Sequence, residues 1–251
     1  MISLKNQNVL VTGGSRGIGK ACVELFLKAG SNVAFTYNRA KEEADKIITE
    51  YRQSSKIKCY QINLGDFNDI KMRIENILND FGNIDILVNN AGIWKEAAID
   101  RMTIDEWSEM MNINLTSTYL VTKLLVPKMK AKRFGRIINI ASTAGQRGEA
   151  FHSHYAASKG GMISLTKSLA SELGEFNITV NCVAPGWVIT DMTTDSLAET
   201  EVYKKVLSDI PLNKIAQPEE IAGPVLFLAS HLASHITGEI LNVNGGSVLC
   251  G

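Results

Sequence analysis

Short runs of β-branched and other apolar residues alternate along the chain with longer segments whose apolar positions recur every three to four residues. The short runs fall at 8–12, 32–37, 57–62, 84–88, 136–141, 178–183 and 239–243. The longer ones fall at 17–29, 41–53, 66–81, 155–175 and 218–229, with a broken or bent region at 103–132. Strands that are apolar throughout, rather than alternating, predict burial on both faces. Repeated β-α units then predict a parallel, doubly wound α/β sheet, seven strands wide, with helices on both sides. No Pro/Gly/Ser-rich linker divides the sequence, so residues 1–251 read as one domain.

Composition narrows the partners. Lys+Arg and Asp+Glu balance at 26 each, so nothing favours nucleic acid or an acidic membrane surface. No apolar run approaches the ~20 residues of a membrane span. The first residues carry no signal-peptide pattern. Cys22, Cys59, Cys182 and Cys250 are scattered without C-x-x-C spacing and read as thiols of a reducing cytoplasm. His231 and His235 sit four apart, but no third ligand lies near them in sequence, so no metal site is expected.

Two stretches carry chemistry. The first strand runs into Thr12-Gly13-Gly14-Ser15-Arg16-Gly17-Ile18-Gly19, directly before a helix. Glycines let the backbone approach a ligand, and the helix N-terminus favours a phosphate. This is the Rossmann-type dinucleotide arrangement, with Gly13, Ser15, Arg16, Gly17, Ile18 and Gly19 at the cofactor. About 20 residues further on, NAD sites usually place an acid against the ribose. Here the chain reads Phe35-Thr36-Tyr37-Asn38-Arg39. Arg16 and Arg39 together match a 2′-phosphate, which points to NADPH rather than NADH.

The second stretch runs from Ser142 to Lys159. A strand ends on the Ser142 hydroxyl, a loop follows, and Tyr155 and Lys159 sit four apart on one helix face. A phenol, an ammonium and a hydroxyl facing one pocket form an acid/base site.

These motifs, with others in the same order, resemble the short-chain dehydrogenase/reductases nearly end to end. Asn89-Asn90-Ala91-Gly92 resembles the family's N-N-A-G, and Asn112-Ile113-Asn114-Leu115 its helix motif. The resemblance implies that Asn114, Ser142, Tyr155 and Lys159 are catalytic. Tyr155 would donate the proton, with its phenolate favoured by Lys159 and by the oxidised nicotinamide. Lys159 would hold the nicotinamide ribose, and Asn114 would anchor a water. Asn90, Ala91 and Gly92 would border the cofactor, as would Pro185, Gly186, Val188 and Thr190. Asn63-Leu64 stands where the family commonly has Asp-Val or Asp-Leu at the adenine; the Asn63 amide oxygen still accepts a hydrogen bond. The tail 237–246 is similar to that of tetrameric members.

Within the family the likeness is greatest to bacterial 3-oxoacyl-(acyl carrier protein) reductases. The implied reaction is NADPH-dependent reduction of a 3-oxoacyl thioester. Their carrier-docking residues are two basic side chains; one matches Arg133, whereas Phe176 takes the place of the other. A same-mechanism reductase of a sugar, polyketide or cyclic ketone, and a non-catalytic NADP sensor, are the competing readings. The segment 192–211, from Met192 to Pro211, reads as a substrate lid. Trp94, Phe151 and Trp187 are candidates for an apolar wall, and His152 and His154 are expected to face solvent.

Overall fold

A computed structural model describes residues 2–53 and 56–249. Among these, seven strands form one parallel sheet in the order β3-β2-β1-β4-β5-β6-β7. The strands are β1 Asn8–Val11, β2 Asn32–Tyr37, β3 Ile57–Gln61, β4 Ile86–Asn89, β5 Gly135–Ile140, β6 Ile178–Pro185 and β7 Ile240–Val243. Each run that the pattern marked is a strand, within a residue or two at its ends, where capping rather than periodicity decides.

The helices are α1 Gly17–Lys28, α2 Lys41–Tyr51, α3 Phe67–Phe81, α4 Ile104–Met111 and α5 Ser117–Lys132. They continue with α6 Ala144–Arg147, α7 Ser153–Leu173, α8 Thr194–Ala198, α9 Thr200–Ser208 and α10 Pro218–Ala229. Strand side chains alternate between two cores. Val9, Val33, Phe35, Ile86, Val88 and Ile138 pack with α1, α2 and α10. Leu10, Ala34, Leu87 and Ile137 pack with α3, α5 and α7 on the other face.

Sequence also sets several helix starts. Asp66 accepts hydrogen bonds from Asn68 N and Asp69 N at 2.9 and 3.2 Å, which caps α3. Thr103 and Glu106 form a capping box at α4, and Gln217 and Glu220 another at α10, where Pro218 takes the first turn. The bend expected in 103–132 is a π-helical turn at Asn112–Thr116 between α4 and α5. Such turns carry one extra residue and re-aim a side chain. The re-aimed residue is Asn114, fully buried at 0% exposure.

Strand order reverses between β1 and β4. A parallel sheet opens a crevice at the carboxyl ends of its strands at such a point. The glycine turn after β1, the 89–92 stretch after β4 and Ser142 after β5 all lie at that edge.

Candidate active site

A cavity of about 750 Å³ runs along this edge. Gly13, Ser15, Arg16, Gly17, Ile18 and Gly19 line one end, followed by Arg39, Asn63, Leu64, Asn90, Ala91 and Gly92. Ser142, Tyr155, Lys159, Pro185, Gly186, Val188 and Thr190 line the rest. Asn114 alone among the expected site residues is not on the wall.

The wall is held by contacts across the switch point. Thr12 Oγ1 accepts from the amides of Asn90 and Ala91 at 3.0 and 3.1 Å. Asn90 Nδ2 donates to the carbonyls of Thr12 and Gly13 at 3.0 and 3.1 Å. Its amide nitrogen thus fixes the glycine turn. Gly13 has φ of +65°, and a Cβ there would meet Ala91 Cα at 3.0 Å. Arg16, the N-cap of α1, makes no side-chain cap, and the helix has no acid in its first turn. Its first N–H groups are therefore available to an anion. No carboxylate lines the cavity at the end of β2; Thr36, Tyr37, Asn38 and Arg39 do. The cradle therefore fits a nicotinamide dinucleotide.

Arg16 departs from the expected clamp in one respect: its guanidinium lies 3.4 Å from the Asp191 carboxylate, with both side chains about two-thirds exposed. Asn63 Oδ1 already accepts from Gly65 N at 3.0 Å, which leaves one lone pair for another donor.

Tyr155 and Lys159 project from α7 one turn apart. The short α6 presses against α7 so closely that a Cβ on Gly145 would sit 2.6 Å from the Lys159 carbonyl carbon. Contact this close requires glycine, and Gly145 N donates to the Ser142 carbonyl at 3.0 Å, which ties the end of β5 to α6. Ser142 Oγ accepts from Ala144 N at 3.1 Å, which leaves its O–H to donate, in the chain alone toward Tyr155.

Lys159 Nζ donates to the Ile140 carbonyl at 2.7 Å and lies 5.8 Å from the centre of the Tyr155 ring. Burial lowers its ammonium to about 8, against a slight rise from Cys182. Burial also pushes the Tyr155 phenol up to about 12; a hydrogen bond with Ser142 opposes the rise and the Glu149 charge adds to it. The lowering expected from sequence comes from Lys159 together with the oxidised nicotinamide; in the chain alone, burial is the larger effect. Desolvation outweighs the neighbouring dipoles here, and the ammonium is engaged by a backbone carbonyl.

Asn114 stands behind the wall. Its Oδ1 accepts from Ile93 N at 2.8 Å, and its Nδ2 donates to Ile93 O and Ser158 Oγ at 3.0 and 3.1 Å. It clamps the 92–93 backbone to α7. Asn114 Oδ1 and Lys159 Nζ both border the space over Gly92, 3.1 and 3.5 Å from where a Cβ would lie.

A family profile described as enoyl-(acyl carrier protein) reductase matches residues 13–247. The chain belongs to the short-chain dehydrogenase/reductase family. Family membership makes it an oxidoreductase acting on CH–OH or C=O groups. Among its relatives is the 3-oxoacyl-[acyl-carrier-protein] reductase FabG of Aquifex aeolicus, 44% identical over 248 residues, 98% of each chain. The enzyme of the same name from Vibrio harveyi is 42% identical over 245 residues, again 98% of each. The crystal structure of gox2181 superposes with a TM-score of 0.92 at 29% identity, covering 98% of this chain and 97% of that one.

The end of the cavity beyond Tyr155 differs from the sequence reading. His152 and His154 are 8% and 1% exposed, buried rather than solvent-facing. Burial and the nearby His152 lower the His154 imidazole, against a rise from Glu106. Phe151 does not join the apolar wall: it adopts φ of +62°, and 61% of its surface is exposed. His152 instead stacks on Trp94 with ring centres 4.4 Å apart and planes 3° apart. Trp187 meets Trp94 edge to face at 6.1 Å. Trp94, Trp187 and Glu149 line the cavity. The signal for His152 was present only as its place in the loop before Tyr155; its partner Trp94 is 58 positions upstream.

The segment 192–211 contains α8 and α9. Val206 and Ile210 form a small core with Ile215, and Trp187, Leu197 and Val202 pack against it. At the expected carrier-docking position, Lys130 Nζ lies 4.5 Å over the Phe176 ring. Arg133 donates to the Glu175 carbonyl at 2.8 Å. Cys22, Cys59 and Cys182 are free thiols, whereas Cys250 lies outside the described residues. Among the described residues no helix is long and apolar enough to cross a membrane, and no group of three metal-ligating side chains occurs.

Proposed function

We propose that this protein reduces a 3-oxoacyl thioester to the 3-hydroxyacyl thioester with NADPH. The observation that carries the reading is the meeting of Ser142, Tyr155 and Lys159 in one cavity with the glycine turn of α1. Relatives named 3-oxoacyl-[acyl-carrier-protein] reductase, at 39–44% identity over nearly the whole chain, support the substrate class. The profile description, an enoyl reductase, shares the carrier-bound acyl chain.

When bound, NADPH supplies the hydride that reaches the carbonyl carbon. Ser142 donates a hydrogen bond to the carbonyl oxygen and stabilises charge that develops there. Tyr155, held protonated by burial, donates its proton to the same oxygen. Lys159 holds the nicotinamide ribose and, as the ammonium, favours the phenolate as it forms. Asn114 keeps Gly92 and Ile93 in place beside Lys159, which supports a proton path toward Lys159. Arg39 and Arg16 would hold the 2′-phosphate, with Asp191 competing for Arg16.

Cytoplasmic location, a homotetramer and delivery of the acyl group by an acyl carrier protein belong to the same reading. Lys130, which also lies 3.9 Å from the Glu172 carboxylate, brings a cation to Phe176, where the carrier-binding pattern lacks one. The test is a substrate panel with NADPH and NADH in parallel: acetoacetyl-CoA, a carrier-bound acetoacetyl group, and sugar, polyketide and cyclic ketones. The expected result is highest kcat/KM for an acetoacetyl thioester with NADPH. Preference for a cyclic or sugar ketone would replace the acyl substrate. Tight NADPH binding without turnover of any ketone would leave a sensor.

A further inference from the structure

The wall facing Tyr155 carries a charge that the acyl-reductase reading does not use. Glu149 lines the cavity with Ser142 and Tyr155, on the loop between α6 and α7. Its side chain is 20% exposed. Trp94 Nε1 donates to Glu149 Oε2 at 3.4 Å, and His152 Nδ1 lies 3.9 Å from Oε1. The His152 ring is itself fixed, because Nδ1 pairs with the Ala150 carbonyl at 3.0 Å and the ring stacks on Trp94. Ala97 N donates to Phe151 O at 2.7 Å and ties this loop to the one carrying Trp94. The carboxylate is therefore held in place beside an apolar wall of Trp94 and Trp187.

No lysine or arginine neutralises it by ion pairing among the described residues. Lys95 lines the cavity but pairs with Glu109 at 2.6 Å, Lys159 donates to the Ile140 carbonyl, and Arg147, the last residue of α6, also lines the cavity but makes no ion pair with Glu149. The Glu149 charge also adds to the rise of the Tyr155 phenol, which places it within electrostatic reach of the reacting end.

We propose that Glu149 sorts substrates by charge: it disfavours ketones bearing a free carboxylate beside the reacting carbonyl and admits the uncharged ester or thioester of the same 3-oxo acid. This rests on the 3-oxoacyl reading for the identity of the substrate. Like charges sharing a partly desolvated chamber separate the affinities of anion and ester by roughly tenfold or more. Glu149→Gln is nearly isosteric and keeps an oxygen for the Trp94 N–H, so it removes the charge and spares the wall.

The test is equilibrium binding of acetoacetate and of methyl acetoacetate, with and without saturating NADP⁺, followed through Trp94 and Trp187 fluorescence. The wild-type protein is expected to bind the ester at least about tenfold more tightly than the anion. In Glu149→Gln that ratio is expected to fall to within about threefold, with ester affinity changed less than twofold. Equal binding of anion and ester by the wild type overturns the proposal. So does a ratio that survives in Glu149→Gln, or failure of the ester to bind either protein. Turnover is a separate readout: an ester that binds with the expected selectivity and is not reduced removes the reductase reading and leaves the charge selection standing.

Discussion

Burial of Lys159 has a consequence for cofactor affinity that can be worked through. Its ammonium is held down to about 8, against 10.5 for an ordinary lysine. In the proposed complex the ammonium gains ribose hydroxyls as acceptors, which favours the charged form. Binding then requires a charged Lys159, and above pH 8 the free protein must first take up a proton. NADPH affinity therefore falls with rising pH. The expected loss between pH 7 and pH 9.5 is up to about 30-fold, or roughly 2 kcal/mol, for a free-state value near 8 and a complex value above 9.5. Two groups that could confuse the profile stay fixed. Tyr155, at about 12, remains protonated across the window. The cofactor 2′-phosphate, with a second pKa of about 6, remains doubly charged. The assay is a fluorescence titration of NADPH at pH 7, 8, 9 and 9.5 at constant ionic strength. Lys159→Met should bind more weakly at pH 7 and show no slope. A wild-type Kd that changes less than twofold from pH 7 to 9.5 would refute the reasoning.

Other predictions address separate parts of the site. Tyr155→Phe should lose about 10²–10⁴-fold in kcat while its NADPH Kd stays within about threefold; retained turnover would exclude Tyr155 as the proton donor. Arg39→Ala should lower the NADPH-over-NADH preference by roughly 10-fold or more, measured as the ratio of dissociation constants. An unchanged ratio would assign the 2′-phosphate elsewhere. Gly145→Ala must move α6 away from α7 and should cost about 1–3 kcal/mol in urea unfolding, since its Cβ would fall 2.6 and 2.7 Å from backbone atoms of Lys159 and Gly160. Wild-type stability would show that the contact is slack. If α8 and α9 form a substrate lid, backbone hydrogen exchange in 194–208 should slow when cofactor and substrate analogue bind together; unchanged rates would remove the lid.

The strands and helices were legible because their signals are local. Seven apolar runs, punctuated by helix-period segments, left little choice but a parallel sheet buried on both faces. The glycine turn after β1 and the one-turn spacing of Tyr155 and Lys159 are likewise local patterns with direct geometric meaning. Asn114 was legible as a motif residue, but its clamp on Ile93 was not. That contact depends on a π-helical turn, which hydrophobic periodicity marked only as a break somewhere in 103–132.

The substrate wall belongs to tertiary structure. Phe151 was the apolar candidate, and a left-handed backbone turn at that residue puts His152 on Trp94 instead. Trp94 follows β4, His152 precedes α7 and Trp187 follows β6, so only the sheet's strand order brings the three rings together. The two central pKa shifts are tertiary as well. Sequence placed an ammonium beside a phenol and implied attraction. The depth of the site made desolvation the larger effect, raising the phenol and lowering the ammonium. Residue spacing determines which groups can meet. How much water and which uncompensated charges they meet among depends on chain segments far away in sequence.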